Sequence, residues 1–285
     1  MSTQLPALVA GLVDDAAVFP PGSASLPDAV AAHRRHRAAW YADLVGPLLL
    51  PASRLAELPA LLGDGERIAV GMIGDVPLGE LGKACAEADP RVEIRQIEAA
   101  VAKRGEDPLP GTTELVALAR AIGDRPVYAE IPLTFGLTAA LDVLAAARAE
   151  GVPVAAKFRT GGLAAELFPS PAELAAVIGA CRDRRVPFKL TAGLHHAVRQ
   201  VDPETGFTHH GFGNVLAATL AAAEGATVAA IAELLTVRDE RPLVEWTDGR
   251  RDGTRPLWVG FGSCSIAEPL SDLIRLGLVN GGYEA

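Results

Sequence analysis

Short apolar runs alternate with alanine- and leucine-rich stretches along nearly the whole chain, and this alternation restricts the fold more than any other feature. Runs of strand length fall at 7–13, 44–50, 68–73, 91–97, 126–132, 153–158, 186–191 and 256–261. Helical patterns lie near 27–41, 53–62, 78–88, 113–122, 136–149, 171–183, 214–235 and 266–276, the first with Pro27 near its start, where proline is favoured. Strands that alternate with helices of this length build βαβ units and a parallel sheet. Eight such strands in 285 residues predict a (β/α)8 TIM barrel, which takes about 250 residues. A doubly wound open sheet is the rival, but no Gly-x-Gly-x-x-Gly follows the first run.

One stretch breaks the rhythm. Residues 194–255 are too long for a simple crossover and carry polar, glycine-rich segments such as Asp248-Gly249-Arg250-Arg251-Asp252-Gly253. They read as an insertion after strand seven, with helix 214–235 and a hairpin or loop near 242–256. With no internal repeat and no linker, 1–285 is expected to be one domain.

The net charge of −9 argues against a nucleic-acid or anionic-membrane surface, although not against a local pocket for a small anion. Three widely spaced cysteines (Cys85, Cys181, Cys264), an odd number with no paired motif, argue against a disulfide framework. The N-terminal residues lack a basic region, and no apolar run approaches ~18 residues. These features predict a cytoplasmic protein with a small-molecule substrate and no membrane partner; a homo-oligomer is open.

Lysine usage points to chemistry. There are four lysines against twenty-two arginines, and two of the four, Lys157 and Lys189, sit in short apolar runs that end in glycine turns. Lysine is rarely buried without a reason, and unlike arginine it becomes a neutral nucleophile when desolvated beside another cation. Strand parity adds neighbours. If the apolar faces pack outward, Glu93, Arg95, Tyr128, Glu130, Lys157, Arg159 and Lys189 point into the barrel. Their bland reading is a plug of ion pairs, Glu93 with Arg95 or Glu130 with Arg159. Their functional reading is an active site, because so many interior charges need partners and perturbed charges gather at functional sites.

With those residues placed, the chain resembles the class I aldolases of the deoxyribose-phosphate aldolase superfamily. Lys157-Phe158-Arg159-Thr160-Gly161 is similar to that family's strand-six Lys-x-Ser-Thr-Gly, with arginine for serine. Lys189-Leu190-Thr191-Ala192-Gly193 stands where the family's second lysine precedes a glycine turn. Val92-Glu93-Ile94 is similar to its strand-four Val-Asp-Val, and Phe261-Gly262-Ser263-Cys264-Ser265 to its phosphate turn Phe-Gly-x-Ser-Ser. The opening Leu12-Val13-Asp14-Asp15 is similar to its first strand. The resemblance implies a Schiff-base lyase with Lys157 as nucleophile, Lys189 lowering its pKa and Glu93 moving protons. No cofactor is implied. Arg95, Asp14, Glu130, Arg159, Thr160, Gly161, Gly193, His195, Gly262, Ser263 and Ser265 would then contact a small, phosphorylated or otherwise anionic carbonyl compound.

Two other functions compete. The doublets His195-His196 and His209-His210, with Asp202, Glu204 or Glu130, could serve a metal-assisted hydrolase or isomerase, although their spacing matches no standard motif and no metal site is expected. A non-catalytic barrel could hold an anionic metabolite with Arg95, Arg159 and Lys189. His33 and His36, among Arg34, Arg35 and Arg37, read as a solvated helix face. Cys264 reads as a small packing residue rather than a nucleophile. Trp246, Arg250, Arg251 and Arg255 read as a lid or an oligomer contact.

Overall fold

The computed structural model describes residues 5–281. Eight parallel strands close into a barrel: β1 (Val13–Asp15), β2 (Val45–Pro51), β3 (Ile68–Gly74), β4 (Val92–Ala100), β5 (Val127–Glu130), β6 (Val154–Arg159), β7 (Phe188–Thr191), and a last strand, Trp258–Ser263, which pairs with both β7 and β1. Between β7 and that last strand runs a small antiparallel hairpin, β8 (Gln200–Val201) and β9 (Thr208–His209), so the closing strand is β10. Around the barrel lie α1 (Leu26–Ala38), α2 (Leu78–Glu87), α3 (Leu109–Ile122), α4 (Leu137–Ala149), α5 (Pro171–Arg184), α6 (Phe212–Ala223), α7 (Val228–Thr236), α8 (Glu240–Thr247) and α9 (Ala267–Arg275). The fold is the expected (β/α)8 barrel. No helix among the described residues is long and apolar enough to cross a membrane.

Strand parity sorts the core as alternation requires. Phe158, Phe188 and Phe261 are fully buried outside the barrel wall, under the helices. Phe158 meets Phe188 at 6.2 Å between ring centroids, and Phe261 stacks between Trp258 at 5.8 Å and Phe212 of α6 at 5.7 Å. Helix α6 is buried from Phe212 through Ala222 and packs against α5, α7 and α8. It therefore takes the role of the crossover helix between β7 and β10, and the additions to a plain barrel are the hairpin and the outer helices α7 and α8.

Several elements depart from the sequence pattern for identifiable reasons. The run 7–13 is a 3₁₀ turn at Ala7–Val9, followed by β1. Arg255 holds it there: its guanidinium donates to the carbonyls of Leu8, Ala10, Trp258 and Val259, closing the floor of the barrel. Burial pushes the Arg255 pKa down to about 10. Arg255 is thus a floor residue and no lid, and Arg250 packs on Trp246 with 5.0 Å to the ring centroid. The segment Ala52–Leu61 winds as 3₁₀ rather than α, with Pro59 inside it lacking a donor. The pattern at 214–235 is two helices, broken where Gly225 takes φ +91° and Thr227 caps α7. Part of 242–256 is helical, because α8 begins at Glu240 with Asp239 as its cap.

The most consequential departure is in β4. It runs on to Ala100, and its pairing with β3 slips between Val70/Ile94 and Gly71/Gln96, so Arg95 is skipped. A bulge of one residue reverses the facing of everything after it. Gln96 and Glu98 consequently turn into the barrel and are buried.

Helix α5 starts with a full capping box, in which Ser170 Oγ accepts from Glu173 N–H and the Glu173 carboxylate accepts from Ser170 N–H, with Pro171 at the first position. Ser170→Ala should lower stability by about 1 kcal/mol, seen as a lower urea midpoint at unchanged m-value. An unchanged midpoint would show that the box adds nothing to α5.

Candidate functional site

Glu98 is the centre of the barrel interior. Its side chain is completely buried, with Lys157 Nζ 2.8 Å from Oε2 and Lys189 Nζ donating to Oε1. The approach of Lys157 is that of an ion pair: Oε2 has no hydrogen bond of good angle. Lys157 Nζ also lies 2.8 Å from Glu130 Oε2, and Lys189 Nζ donates to Asp14 Oδ2. Gln96 Nε2 ties the carboxylates together, donating to Asp14 Oδ2 at 2.6 Å and to Glu98 Oε1 at 2.9 Å. Outermost, Arg159 donates to Glu130 Oε1 at 3.1 Å from Nη2. The ring of Tyr128 lies under Lys189 Nζ at 5.2 Å. Three cations thus face three carboxylates, and the cluster is electroneutral.

Topology supplies this meeting. Lys157 and Lys189 are register partners on β6 and β7, and Glu130 is the register partner of Lys157 on β5. Asp14 reaches in from β1. Two bare positions make room: a Cβ on Gly46 of β2 would collide with Asp14 Oδ1, and one on Gly71 of β3 would overlap Leu49 and the Gln96 amide.

The electrostatics follow from burial opposed by pairing. Burial alone would raise Glu98, but Lys157 and Lys189 outweigh it and hold it down to about 2. Burial likewise opposes the charged form of Lys157, yet Glu98 and Glu130 outweigh it and raise its pKa above the ordinary lysine value. Lys189 is raised in the same way by Asp14 and Glu98. Glu130 is lowered, because Lys157 and Arg159 outweigh its burial. Asp14 is raised, burial exceeding the pull of Lys189. Burial pushes Tyr128 up to about 12.

The expected residues fall into three groups. Lys157, Lys189, Glu130, Arg159 and Asp14 are brought together. Glu93 and Arg95 are not: they pair with each other near the N-terminal end of β4, and Glu93 also holds Arg67 at 2.5 Å. The strand-four acid facing the lysines is Glu98, and the bulge explains the exchange. The expected mutual pKa effect of the lysines is also corrected, because carboxylates lie between and around them.

The third group does structural work. Thr160 Oγ1 donates to Ala192 O at 2.6 Å, and Gly161 lies so close to Gly193 that a Cβ would come within 2.9 Å of the Gly193 Cα. Ser263 Oγ donates to Ser265 O at 2.8 Å and accepts from Ser265 N–H, while Ser265 Oγ accepts from Glu268 N–H. The hydroxyls of Ser263 and Ser265 are therefore engaged locally, and the Glu268 carboxylate stands in the first turn of α9. Gly262 lies against Leu49. Burial pushes the Cys264 thiol up, which suits a packing residue.

The histidines of the two doublets each have a partner of their own. His195 Nδ1 meets Glu268 at 2.9 Å, and His196 Nδ1 lies 3.4 Å from Asp272. His209 donates from Nδ1 to Gly193 O at 3.1 Å and packs on Phe168, which also packs on Phe207. Among the described residues no group of three or more His, Cys, Asp or Glu is arranged to hold a metal ion. His33, expected on a solvated face, is buried with Nδ1 3.0 Å from Asp15 Oδ2.

At the C-terminal end of the barrel the cluster adjoins a cleft of about 150 Å³. Glu130 and Arg159 form its inner wall, Arg104 and Glu173 stand on its rim, and Leu133 and Leu167 give it apolar sides. Compared with protein-family models the chain matches none, and compared with curated proteins it again matches none. Fold and site together define a (β/α)8 barrel with a lysine–carboxylate cluster at the end where barrels of this kind keep their chemistry.

Removing Glu98 leaves two buried ammonium groups short of a partner. Glu98→Gln should cost about 3–5 kcal/mol at neutral pH by denaturant unfolding. The wild-type contribution of Glu98 is present above its unfolded value of 4.5 and is lost as pH falls towards about 2. The variant should therefore lose less stability than wild type between those pH values. Equal acid sensitivity would show that Glu98 is not the group being titrated.

Proposed function

We propose that the chain is a Schiff-base-forming lyase or aldolase acting in the cytoplasm on a small anionic carbonyl compound, with Lys157 as the nucleophile. One observation carries the reading: Lys157 Nζ lies 2.8 Å from each of two carboxylates, and one of them, Glu130, opens onto the cleft. A buried lysine with a proton acceptor in reach and a substrate-sized opening beside it fits amine attack on a carbonyl.

The resting Lys157 is an ammonium, so the reaction needs a means to deprotonate it. Arg159 supplies one. While it pairs with Glu130, that carboxylate is a poor base. An anionic substrate entering the cleft engages Arg159, with Arg104 on the rim, and draws cationic charge away from Glu130. The Glu130 pKa then rises, and the Lys157 proton passes across 2.8 Å to its Oε2. The neutral amine adds to the carbonyl carbon, giving a carbinolamine. Glu130 returns its proton to the departing hydroxyl, which leaves as water, and the iminium is the electron sink for C–C cleavage or formation. Lys189, Asp14, Gln96 and Glu98 remain as the charge framework that holds Lys157 in place.

The competing readings have less support. An anion site made by Arg95, Arg159 and Lys189 would need Arg95 at the cleft, and Arg95 pairs with Glu93 at the other end of β4. A histidine metal site would need the doublets to converge, and each ring has a separate partner.

The test is reductive trapping with borohydride across small aldehydes, ketones, 2-oxo acids and sugar phosphates, followed by peptide mapping. An adduct on Lys157, absent in Lys157→Arg, is the expected result; an adduct mapped elsewhere, or none across the panel, would refute the assignment. Because the Lys157 pKa is raised, the fraction of free amine grows with pH. With an uncharged aldehyde, which does not engage Arg159, the trapping rate should accordingly climb through pH 8 and 9, about tenfold per unit while the ammonium dominates. A plateau near pH 7 would mean that the amine is already neutral at rest.

A further inference from the structure

A second cavity, of about 220 Å³, shares no lining residue with the lysine cluster and lies between the start of the hairpin, α8 and α9. Its charged lining is Arg199, Arg238, Arg275, His196, Glu240 and Asp272. The two acids are already engaged. Arg275 pairs with both Glu240 and Asp272, and Asp272 also accepts from Ala197 N–H at 2.6 Å and stands 3.4 Å from His196.

The two other arginines have no carboxylate partner among the described residues. Arg199 donates from Nη1 to His210 Nδ1 at 3.1 Å. That ring is neutral: burial brings the His210 pKa down to about 4, and its Nε2 donates to Pro169 O at 2.8 Å, leaving Nδ1 as an acceptor. Arg199 is thus oriented by a neutral acceptor and keeps its whole charge. Arg238 stands close enough to depress the Arg199 pKa further, after burial has lowered it. The lining thus carries three guanidinium groups against two carboxylates, a net positive charge, and the two guanidinium groups without an ion-pair partner among the described residues stand together on this one cavity.

We propose that this cavity binds a phosphate dianion, free or as a phosphomonoester, between Arg199 and Arg238. Guanidinium forks suit phosphate oxygens in bidentate geometry, and a phosphomonoester, at about −1.5 to −2 at neutral pH, has oxygens enough to engage both unpaired guanidinium groups at once. His210 acts as the positioning residue for Arg199. The inference goes beyond the lyase reading and does not depend on Lys157.

Binding also bears on the cleft. The Arg199–His210 bond spans the base of the β8–β9 hairpin, while His209 holds Gly193 O and Phe207 packs on Phe168 beside the cleft wall at Leu167. Phosphate between Arg199 and Arg238 would fix the hairpin against the mouth of the barrel.

The experiment is titration calorimetry of the full chain with inorganic phosphate and with glycerol phosphate, at constant ionic strength set by chloride. Saturable binding to wild type is expected, with affinity at least tenfold weaker in Arg238→Gln and in Arg199→Gln. Arg238 is exposed, so its substitution tests the site without threatening the fold. Arg241→Gln, on the outer face of α8 and paired with Glu245, should bind as wild type does. Tighter binding of glycerol phosphate than of phosphate would identify an organic phosphomonoester as the ligand; equal affinity would identify the free ion. Absence of saturable binding to wild type, or equal binding to wild type and Arg238→Gln, would overturn the proposal.

Discussion

The Glu98 carboxylate, shared by two lysines from adjacent strands, is the interaction on which the interior of this barrel depends. Each ammonium taken out of water carries a desolvation penalty of several kcal/mol, and only close, well-placed anions repay it. Glu98 alone would leave a surplus of positive charge. Asp14 on the Lys189 side and Glu130 on the Lys157 side complete the balance, and Arg159 matches the charge that Glu130 brings. The burial, the ionisation and the positions of six charged side chains are therefore one problem with one solution. On the lyase reading proposed above, the same arrangement would govern the chemistry, since Glu130 is the partner of Lys157 that also lines the cleft.

The barrel was legible because its signals are periodic. Each strand and most helices leave a pattern of their own, and errors in one element do not propagate to the next. The misread elements are those whose conformation is set elsewhere in the chain. Arg255 holds the 7–9 segment as a floor from nearly the full chain length away, and nothing local in Leu8 or Ala10 announces it. Gly225 and Thr227 do carry a local signal, a helix stop followed by a cap, hidden within an otherwise continuous alanine-rich run.

The site was legible to the extent that parity is reliable. Lys157, Lys189, Glu130, Arg159 and Tyr128 lie on strands without an internal register slip, and counting by twos from the apolar residues finds their facing. Parity fails at the bulge in β4, where counting through Arg95 selects Glu93 and passes over Gln96 and Glu98. The available warning was the run Gln96-Ile97-Glu98, polar residues spaced by two that straddle the expected strand end at 97. The serines of the 262–265 turn show a different limit of sequence reading. Residue types that can cradle an anion can also bond to one another, and sequence does not distinguish the two.

Gly46 and Gly71 have a consequence for how this molecule tolerates change. They contribute no functional group, yet the space they leave open is occupied by Asp14 Oδ1 and the Gln96 amide. The polar cluster is thus defined as much by two missing methyl groups as by its charges. A lineage that placed alanine at either position would displace Asp14 or Gln96 while preserving every charged side chain, so the cluster can diverge through residues that carry no charge.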